Sequence, residues 1–438
     1  YQFEEQEFKL KDGQRVTIAN NASPDQSDSA GTILTIDHDE KTLKIKRGIK
    51  QGYLPDTLSI GPSTPYDASK LELTTYKFID SLLEEEDKYH ALKDILLKRI
   101  PKIKGVKSGD KIIKSDNFSE ELPKIISNLE SSYLYIQGPP GTGKTTQASN
   151  AILELIKKGK KIAITANSHK VVHNLIERVE RLAEKQKVSF RGLKAGRTSD
   201  LDTVYDGHFV TTSSKDLDFI QGLKSKNTLL YGGTKYHFSN GYYDSSIDYL
   251  FIDEAGQLSL ADLVVLGTIA KNIILIGDQL QLGQPTRGTH PGEAGSSILD
   301  FLLGDNDTIS PDRGVFLNKT FRLHPKINEF ISENFYENRL QADEKTSKRK
   351  ISFNDKCTIQ SEGIHYLSMN HKDRIQTSIE ECEEVKKLVT QFVGLNYFDG
   401  EKDRKLTIED ILIISPYNAQ VNALKFQLGD KNAKVGTI

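Results

Sequence analysis

The sequence is poor in cysteine, with only Cys357 and Cys382 among 438 residues. These two residues form no CxxC pair and belong to no Cys/His cluster with zinc-ligand spacing, which excludes a zinc site of that kind. No apolar run approaches the roughly 18 residues of a membrane-spanning helix, and no signal peptide is visible at the start. We therefore expect a reduced, cytoplasmic compartment and no membrane partner.

The sequence also lacks a strong net charge, because 59 basic and 61 acidic residues give −2. Any nucleic-acid surface must therefore be a local stripe of charge and not a property of the whole chain. The length suffices for about three domains of roughly 150 residues each. Residue 1 is tyrosine, the only methionine is Met369, and residues 434–438 look like the start of a strand. We expect this chain to be part of a longer polypeptide.

The chain is organised around the segment YLYIQGPPGTGKTT at 133–146. A short apolar strand leads into a glycine-rich loop at 138–143 and then into Lys144, Thr145 and a helical pattern. The glycines let several N–H groups point at one anion, and the helix adds its positive end. Lys144 suits the β- and γ-phosphates, and the Thr145 hydroxyl suits Mg²⁺. The alternative is a glycine-rich turn that binds nothing; the complete spacing favours a nucleoside triphosphate site.

Residues 117–310 alternate apolar strands with helical patterns. This predicts a parallel sheet covered on both faces, with ligands at the carboxyl ends of its strands. Asp253 and Glu254 follow one such strand, where the first would hold Mg²⁺ and the second would orient or deprotonate water. A surface acidic pair is the alternative. Gln281 follows the next strand, and its amide suits a γ-phosphate sensor.

Two smaller patterns precede this region. Residues 14–49 alternate with a period of two, which predicts a small antiparallel barrel or sheet with a mobile loop at 21–31. Residues 67–100 have helical spacing that ends at Pro101. The sequence leaves open whether the barrel grips nucleic acid or is a plain structural module. It also leaves open whether the cationic run at 98–114 contacts phosphates or is a solvated linker.

A second α/β unit is predicted from about residue 315. Arg322 lies near its start, where an arginine reaching across a cleft could neutralise charge on a γ-phosphate; a surface or capping arginine is the alternative. Strands are predicted at 363–368 and 410–414, on either side of a helix at 378–393. Earlier in the chain, we predict a polar loop at 235–246.

Several motifs carry a resemblance to a known family. GPPGTGKTT, DEAGQ, GDQLQL, TFRLHP, SPYNAQ and VGTI occur in this order. They resemble the superfamily 1 helicases of the 5′-to-3′ branch, especially the nonsense-mediated-decay type. DEAGQLSLAD, GTHPGEAGSSILDFLL and FISENFYENRL are similar to the helicase half of bacterial proteins in which a RecB-like nuclease precedes the helicase. The resemblance is specific over roughly 130–438 and weak over 1–115.

The resemblance implies an α/β fold with two RecA-like domains, the second incomplete in this sequence. ATP and Mg²⁺ would lie in the cleft, with single-stranded nucleic acid, DNA in preference to RNA, across the top. The implied organisation is a small β-barrel at 1–66, a helical stalk or linker at 67–115, an ATP-binding domain at 116–314 and a second domain at 315–438.

The resemblance also implies roles for individual residues. The catalytic residues would be Lys144, Glu254, Gln281 and Arg322. Those that bind Mg²⁺ would be Thr145 and Asp253. The nucleotide would be held by the glycine-rich loop, the start of its helix and an aromatic ring that stacks on adenine, namely Gly138, Pro139, Pro140, Gly141, Thr142, Gly143, Lys144, Thr145, Thr146 and Phe321. Segments that touch the nucleic-acid backbone contain Ser168, Thr212, Thr234 and Thr437.

Three departures from the family are visible. Residues 115–134 contain no glutamine that could read adenine, and the last motif, with its second arginine, does not occur. No nuclease motif precedes the helicase motifs, so a nuclease would be an attached domain or a partner. We expect an ATP-hydrolysing helicase or translocase. The alternative is a non-unwinding NTPase that acts as a switch or remodeller in a larger defence or repair assembly.

Overall fold

The computed structural model describes the chain except for residues 5–9, 11, 19–28, 38–39, 50–51, 63–67, 116, 199, 284–290, 373 and 438. Within the described part, no helix is both long and apolar enough to cross a lipid bilayer. The predicted mobile loop at 21–31 lies mostly outside the described residues.

An antiparallel sheet of four strands begins the chain. The strands are β1 (Arg15–Ile18), β2 (Ser29–Asp37), β3 (Thr42–Lys46) and β4 (Ile60–Pro62), in the order β3-β2-β1-β4. No pairing between β3 and β4 occurs among the residues that the structure describes. The predicted loop at 21–31 extended too far at its C-terminal end, because β2 already begins at Ser29. Ala30 is buried there, and a Cβ on Gly31 would lie 2.4 Å from the carbonyl oxygen of Lys46.

Three helices follow, α1 (Ser69–Leu83), α2 (His90–Leu96) and α3 (Phe118–Ser127). Asp94 of α2 is buried and accepts a hydrogen bond from Ser132 Oγ (3.1 Å). Its carboxylate also pairs with Lys102 (3.0 Å) and Arg99 (3.4 Å). These two members of the cationic run therefore neutralise a buried carboxylate, which is a structural role.

Eight parallel strands form the central sheet, in the order β12-β5-β11-β10-β6-β9-β7-β8. They are β5 (Tyr133–Gln137), β6 (Ile162–Thr165), β7 (Arg191–Ala195), β8 (Val210–Ser213), β9 (Thr228–Gly232), β10 (Ile247–Ile252), β11 (Ala270–Gly277) and β12 (Gly314–Phe316). Every residue of β5, β6 and β9 is buried, as expected for a sheet covered on both faces. The predicted α/β class is confirmed.

Helices cover both faces of this sheet. They are α4 (Lys144–Lys157), α5 (His169–Gln186), α6 (Asp216–Lys224), α7 (Lys235–Phe238), α8 (Leu260–Gly267) and α9 (Ile298–Leu303). One apolar core lies between the sheet and α3, α4 and α5, and a second lies between the opposite face and α2, α8 and α9. The carboxyl ends of the strands are left accessible to ligands.

Smaller sheets follow β12. A parallel pair joins β13 (Lys319–Thr320) and β14 (Gln341–Ala342); an antiparallel sheet contains β15 (Lys350–Ser352), β16 (Asn396–Phe398) and β17 (Asp403–Lys405); and a second parallel pair joins β18 (Leu412–Ile414) and β19 (Lys434–Gly436). The helices are α10 (Pro325–Phe335), α11 (Ile379–Phe392) and α12 (Asn418–Leu428). The predicted domain boundary between 314 and 315 falls inside β12, and that division of the chain stays a prediction.

Two local predictions were wrong. Residues 363–368 form no strand; Ile364 and Tyr366 are 57% and 89% exposed, so the apolar side chains of this segment do not pack as a buried strand would. Residues 235–246 are not simply a polar loop, since they contain α7 and a 3-10 turn at Gly241–Tyr243. The reason is aromatic packing, because Phe238 and Tyr243 are buried in the second core.

Candidate nucleotide site and nucleic-acid interface

The loop between β5 and α4 makes a tight turn. Gly141 and Gly143 adopt φ values of 79° and 82°, which residues with a Cβ rarely adopt. Thr142 Oγ1 donates a hydrogen bond to the carbonyl oxygen of Pro139 (2.8 Å). The backbone N–H of Gly138 donates to the last carbonyl of β11 (2.9 Å). The loop is thus held against the start of α4, whose backbone N–H groups and positive end suit an anion.

Lys144 curves back over this loop. Its Nζ donates to the carbonyl oxygen of Gly138 (2.8 Å), and a Cβ on Gly138 would lie 2.3 Å from Lys144 Cγ. The glycine is therefore required by the path of the lysine stem. Thr145 and Thr146 are half-buried in the first turn of α4. Thr146 Oγ1 accepts a hydrogen bond from Arg178 Nη2 (2.8 Å), a contact between α4 and α5 that the sequence did not predict.

Asp253 and Glu254 begin where β10 ends. Asp253 is 5% exposed, and its backbone N–H donates to the carbonyl of Thr165 (2.9 Å). Burial and the neighbouring Glu254 raise the pKa of Asp253 to about 6, although Lys144 and the backbone N–H of Glu254 oppose the shift. Glu254 is half-buried and has φ of 51°. The site thus holds a carboxylate that a nearby cation would stabilise.

The expected Mg²⁺ ligands can be tested against this geometry. No group of three or more His, Cys, Asp or Glu residues that could hold a metal occurs in the part of the chain that the structure describes. A divalent ion would therefore rely on the Thr145 hydroxyl, the Asp253 carboxylate, water and nucleotide phosphates. Such an all-oxygen set with few protein ligands is typical of Mg²⁺. The buried carboxylate of Asp253 fits this ion.

Gln281 is linked to a buried carboxylate that the sequence did not single out. Gln281 Nε2 donates to Asp278 Oδ2 over 3.4 Å, and Tyr336 Oη donates to the same oxygen over 2.7 Å. Burial raises the pKa of Asp278, while the hydrogen bond from Tyr336 and the charge of Lys144 lower it. Asp278 was recognisable in one respect, because it follows a buried strand as Asp253 does. Tyr336 lies in the quoted segment FISENFYENRL, but its position there gave no indication of a role.

The segment that carries Arg322 packs directly on the glycine-rich loop. The backbone N–H of Phe321 donates to the carbonyl of Gly141 (2.9 Å), and Thr320 Oγ1 donates to the carbonyl of Pro140 (2.8 Å). Arg349 Nη1 donates to the carbonyl of Arg322 (2.8 Å). The Phe321 ring is 52% exposed, so it is accessible for stacking. The structure therefore brings the backbone of the predicted finger to the loop that carries Lys144.

Three of the four predicted nucleic-acid residues lie near the carboxyl ends of central-sheet strands. Ser168 precedes α5, and its Oγ accepts from the N–H of Val171 (3.3 Å). Thr234 precedes α7. Thr212, in β8, uses its hydroxyl internally, because Oγ1 donates to the carbonyl of Tyr205 (2.6 Å) and accepts from its N–H (2.7 Å). The fourth, Thr437, follows β19 in another sheet.

Family comparisons agree with this arrangement. Two family models, each described as an AAA domain, match residues 124–292 and 296–438. The fission yeast DNA replication ATP-dependent helicase/nuclease dna2 is 26% identical over 221 residues, which cover 50% of this chain and 15% of that protein. The fruit fly regulator of nonsense transcripts 1 homolog is 28% identical over 331 residues, which cover 65% and 26%. The chain is similar to superfamily 1 helicases over both matched segments.

The predicted resemblance to this family is confirmed, while the link to RecB-like fusion proteins stays a prediction. A putative ATP-dependent RNA helicase of budding yeast, ECM32, is 23% identical over 400 residues, which cover 80% of this chain and 33% of that protein. The chain thus spans a third or less of the length of these three curated relatives. Among solved structures, arterivirus nonstructural protein 10 (helicase) is similar with a TM-score of 0.38 and 14% identity, covering 76% of this chain and 56% of that one.

Proposed function

We propose that this chain hydrolyses ATP to move along a single strand of nucleic acid. The observation that carries the proposal is the convergence on one loop of three separate segments. Lys144 begins α4 directly after the loop and donates to Gly138, Asp253 interacts electrostatically with Lys144, and Phe321 binds the loop through its backbone. Phosphoryl transfer needs this combination of a phosphate cradle, a carboxylate and a cation supplied from a second segment.

Each residue then has a defined task in hydrolysis. Lys144 leaves the Gly138 carbonyl to bind phosphate. Thr145 and Asp253 are the residues that would hold Mg²⁺, and such an ion would supply positive charge to the phosphate oxygens. Glu254 orients and deprotonates the attacking water. Gln281 binds the γ-phosphate, and Arg322 stabilises the charge that develops on it. The exposed ring of Phe321 stacks on the adenine.

The track would lie across the carboxyl ends of the central strands. Hydroxyls and backbone amides near Ser168 and Thr234 are suited to phosphate contacts that do not read sequence. We propose that ATP binding draws the units at 116–314 and 315–438 together and that hydrolysis separates them, which moves the strand. We also propose single-stranded DNA as the preferred track, although the relatives include both a DNA replication helicase and a putative RNA helicase.

One observation favours a second function. The Thr212 hydroxyl is engaged with Tyr205 as donor and as acceptor, so one predicted strand contact is already saturated. A non-unwinding ATPase that acts as a switch or remodeller would need the same nucleotide site without the strand contacts. Such a protein would bind ATP and a protein partner but would show no response to single strands.

Equilibrium binding separates these functions. A fluorescent ATP analogue with Mg²⁺ and labelled 20-nucleotide dT and rU strands would be titrated with the wild type, Lys144→Ala and Lys157→Ala. Lys157 is the control because it lies in the same helix but contacts Glu154 and Gln186. We expect Lys144→Ala to weaken nucleotide binding by about tenfold or more, since a charge-assisted contact is lost, and Lys157→Ala to change little.

Strand binding should be strong at low salt and weaken as salt rises. A plot of the logarithm of the binding constant against the logarithm of the salt concentration should have a slope of about −0.7 for each phosphate contacted. Nucleotide binding that is equal in the two variants would contradict the proposed ATP site. A wild type that binds nucleotide but neither strand would support the switch or remodeller instead.

A further inference from the structure

A buried hydrogen bond joins the segment that follows β11 to the end of α10. Tyr336 Oη donates to Asp278 Oδ2 over 2.7 Å, across 58 positions of sequence. Tyr336 is 3% exposed and Asp278 is 2% exposed. A neutral donor to a buried carboxylate is a strong contact, and loss of either partner leaves the other unsatisfied. The proposed function gives this contact no role, and the inference drawn from it rests on that function.

The Asp278 end of this bond belongs to the segment that would sense the γ-phosphate. Asp278 directly follows β11, and its other partners within the described chain are distant, with Gln281 Nε2 at 3.4 Å and the N–H of Leu280 at 3.5 Å. Among the described residues, Tyr336 therefore makes the shortest hydrogen bond to the Asp278 side chain. The same carboxylate oxygen receives both the tyrosine hydroxyl and the Gln281 amide, so movement of Gln281 changes the hydrogen bonding of Asp278.

The Tyr336 end belongs to the element that carries the predicted arginine finger. Arg322 lies three residues before α10, and Tyr336 directly follows that helix. An 11-residue α-helix is about 16 Å long and moves as a stiff unit. The ring of Tyr336 also packs against Phe316 of β12, with ring centroids 6.0 Å apart. Residues before and after α10 therefore both contact the nucleotide-binding region, one through Gly141 and the other through Asp278.

We propose that Tyr336 is a positioning residue that couples the γ-phosphate sensor to the arginine finger. When Gln281 turns to a γ-phosphate, its amide leaves Asp278, and the tyrosine hydroxyl becomes the main side-chain donor to that carboxylate. This holds the end of α10 against the sensor while Arg322 acts. When the phosphate leaves, Gln281 returns and shares that oxygen with the tyrosine hydroxyl, as both donors do in the structure, so the hold on the end of α10 is weaker.

The test removes one oxygen atom. Tyr336→Phe keeps the ring against Phe316 and deletes only the hydroxyl. Tyr133→Phe is a matched control, because Tyr133 is 2% exposed and its Oη donates to the carbonyl of Arg99 (2.7 Å) at the opposite end of β5. The readouts are kcat and KM for ATP hydrolysis, the affinity for ADP, and the thermal midpoint, each measured with and without a 20-nucleotide dT strand.

We expect both variants to lose thermal stability, Tyr336→Phe more because it leaves a buried carboxylate with one donor fewer, but only Tyr336→Phe to lose catalysis. Tyr336→Phe should lower kcat by about tenfold, the size expected for a hydrogen bond to a charged group, and should change ADP affinity less than twofold. Tyr133→Phe should keep kcat within twofold of the wild type. A split of kcat from binding is the signature of a residue that acts through another group, since a general loss of structure would move both.

A second measurement tests whether Tyr336 acts through Asp278. In an Asp278→Ala background, Tyr336→Phe should have no further effect on kcat, because the two residues act as one unit. Equal kcat values for Tyr336→Phe and Tyr133→Phe, or full additivity with Asp278→Ala, would overturn the inference while leaving the proposed function intact. A wild type that does not hydrolyse ATP would refute the proposed function and this inference together.

Discussion

At the scale of single residues, Gly141 shows how a short motif and a distant segment constrain each other. Its φ is 79°, a turn conformation that the sequence spacing predicted. A Cβ at this position would also lie 2.3 Å from Arg322 Cβ and 2.8 Å from Thr320 Oγ1. The glycine therefore serves two purposes, the turn of the loop and the close approach of the predicted arginine finger.

A matched control separates the two effects of replacing Gly141 by alanine, which are backbone strain and collision with the 320–322 segment. Gly159→Ala has a similar positive φ of 67°, and nothing lies within 4 Å of the added Cβ. Strain alone should cost each variant about 1–2 kcal/mol of the free energy of unfolding. Gly141→Ala should lose more than this in urea denaturation, and its kcat for ATP should fall about tenfold or more as Arg322 is displaced.

A Gly141→Ala variant with the stability and kcat of Gly159→Ala would show that the contact with the 320–322 segment has no role in hydrolysis. Nucleotide binding provides a further check, because strain at Gly159, which lies beyond the end of α4, should leave it unchanged.

The residues predicted from sequence share one property, which is that each lies in a short contiguous motif. Lys144, Asp253 and Gln281 each follow an apolar strand, and the parallel sheet brings the ends of those strands to one edge. Asp278 and Tyr336 also lie in quoted motifs, GDQLQL and FISENFYENRL, but neither was given a role. Their significance comes from a hydrogen bond between distant positions, which neither motif alone reveals.

At the scale of elements, the strands of the central sheet that the sequence revealed most clearly are those buried on both faces. β7 was missed because its sequence, RGLKA, alternates polar with apolar residues and contains a lysine. Lys194 is nevertheless fully buried, with its Nζ 2.7 Å from His169 Nδ1, and burial lowers its pKa to about 8. Tertiary packing overrode the local pattern, as it did for the strand wrongly predicted at 363–368.

His237, in α7, should make the folding stability of the protein sensitive to acid. His237 packs among aromatic rings, 4.3 Å from Phe219 between centroids, and its Nε2 lies 2.7 Å from Tyr243 Oη. Burial lowers the pKa of His237 to about 4 from 6.5. Between these values the unfolded chain binds a proton that the folded chain does not, so stability falls as pH falls through this window.

Chemical denaturation at pH 7 and pH 5 would measure this effect. His237→Gln keeps a polar group near Tyr243 but cannot titrate. The wild type should lose about 2 kcal/mol more of its unfolding free energy between pH 7 and pH 5 than the variant does, at about 1.4 kcal/mol per pKa unit. Equal losses in both proteins would mean that His237 is not kept neutral by the fold.

At the scale of the whole molecule, composition and periodicity predicted a large parallel sheet with an antiparallel unit before it and further α/β elements after it. The order of the eight strands and the division of the core between two sets of helices required the structure. The same holds for the approach of the 320–322 segment to the glycine-rich loop, because contacts between distant segments depend on how complete units pack.

We expect the nucleotide site to couple ATP hydrolysis to movement along a single strand of nucleic acid. The most direct test is the ATPase rate of the full-length protein with and without single-stranded DNA and RNA, beside Glu254→Gln. We predict strong stimulation by single strands, greater with DNA, and its loss in the variant, because the amide cannot deprotonate water. Turnover that is indifferent to both polymers, or stimulation that survives in Glu254→Gln, would contradict this account.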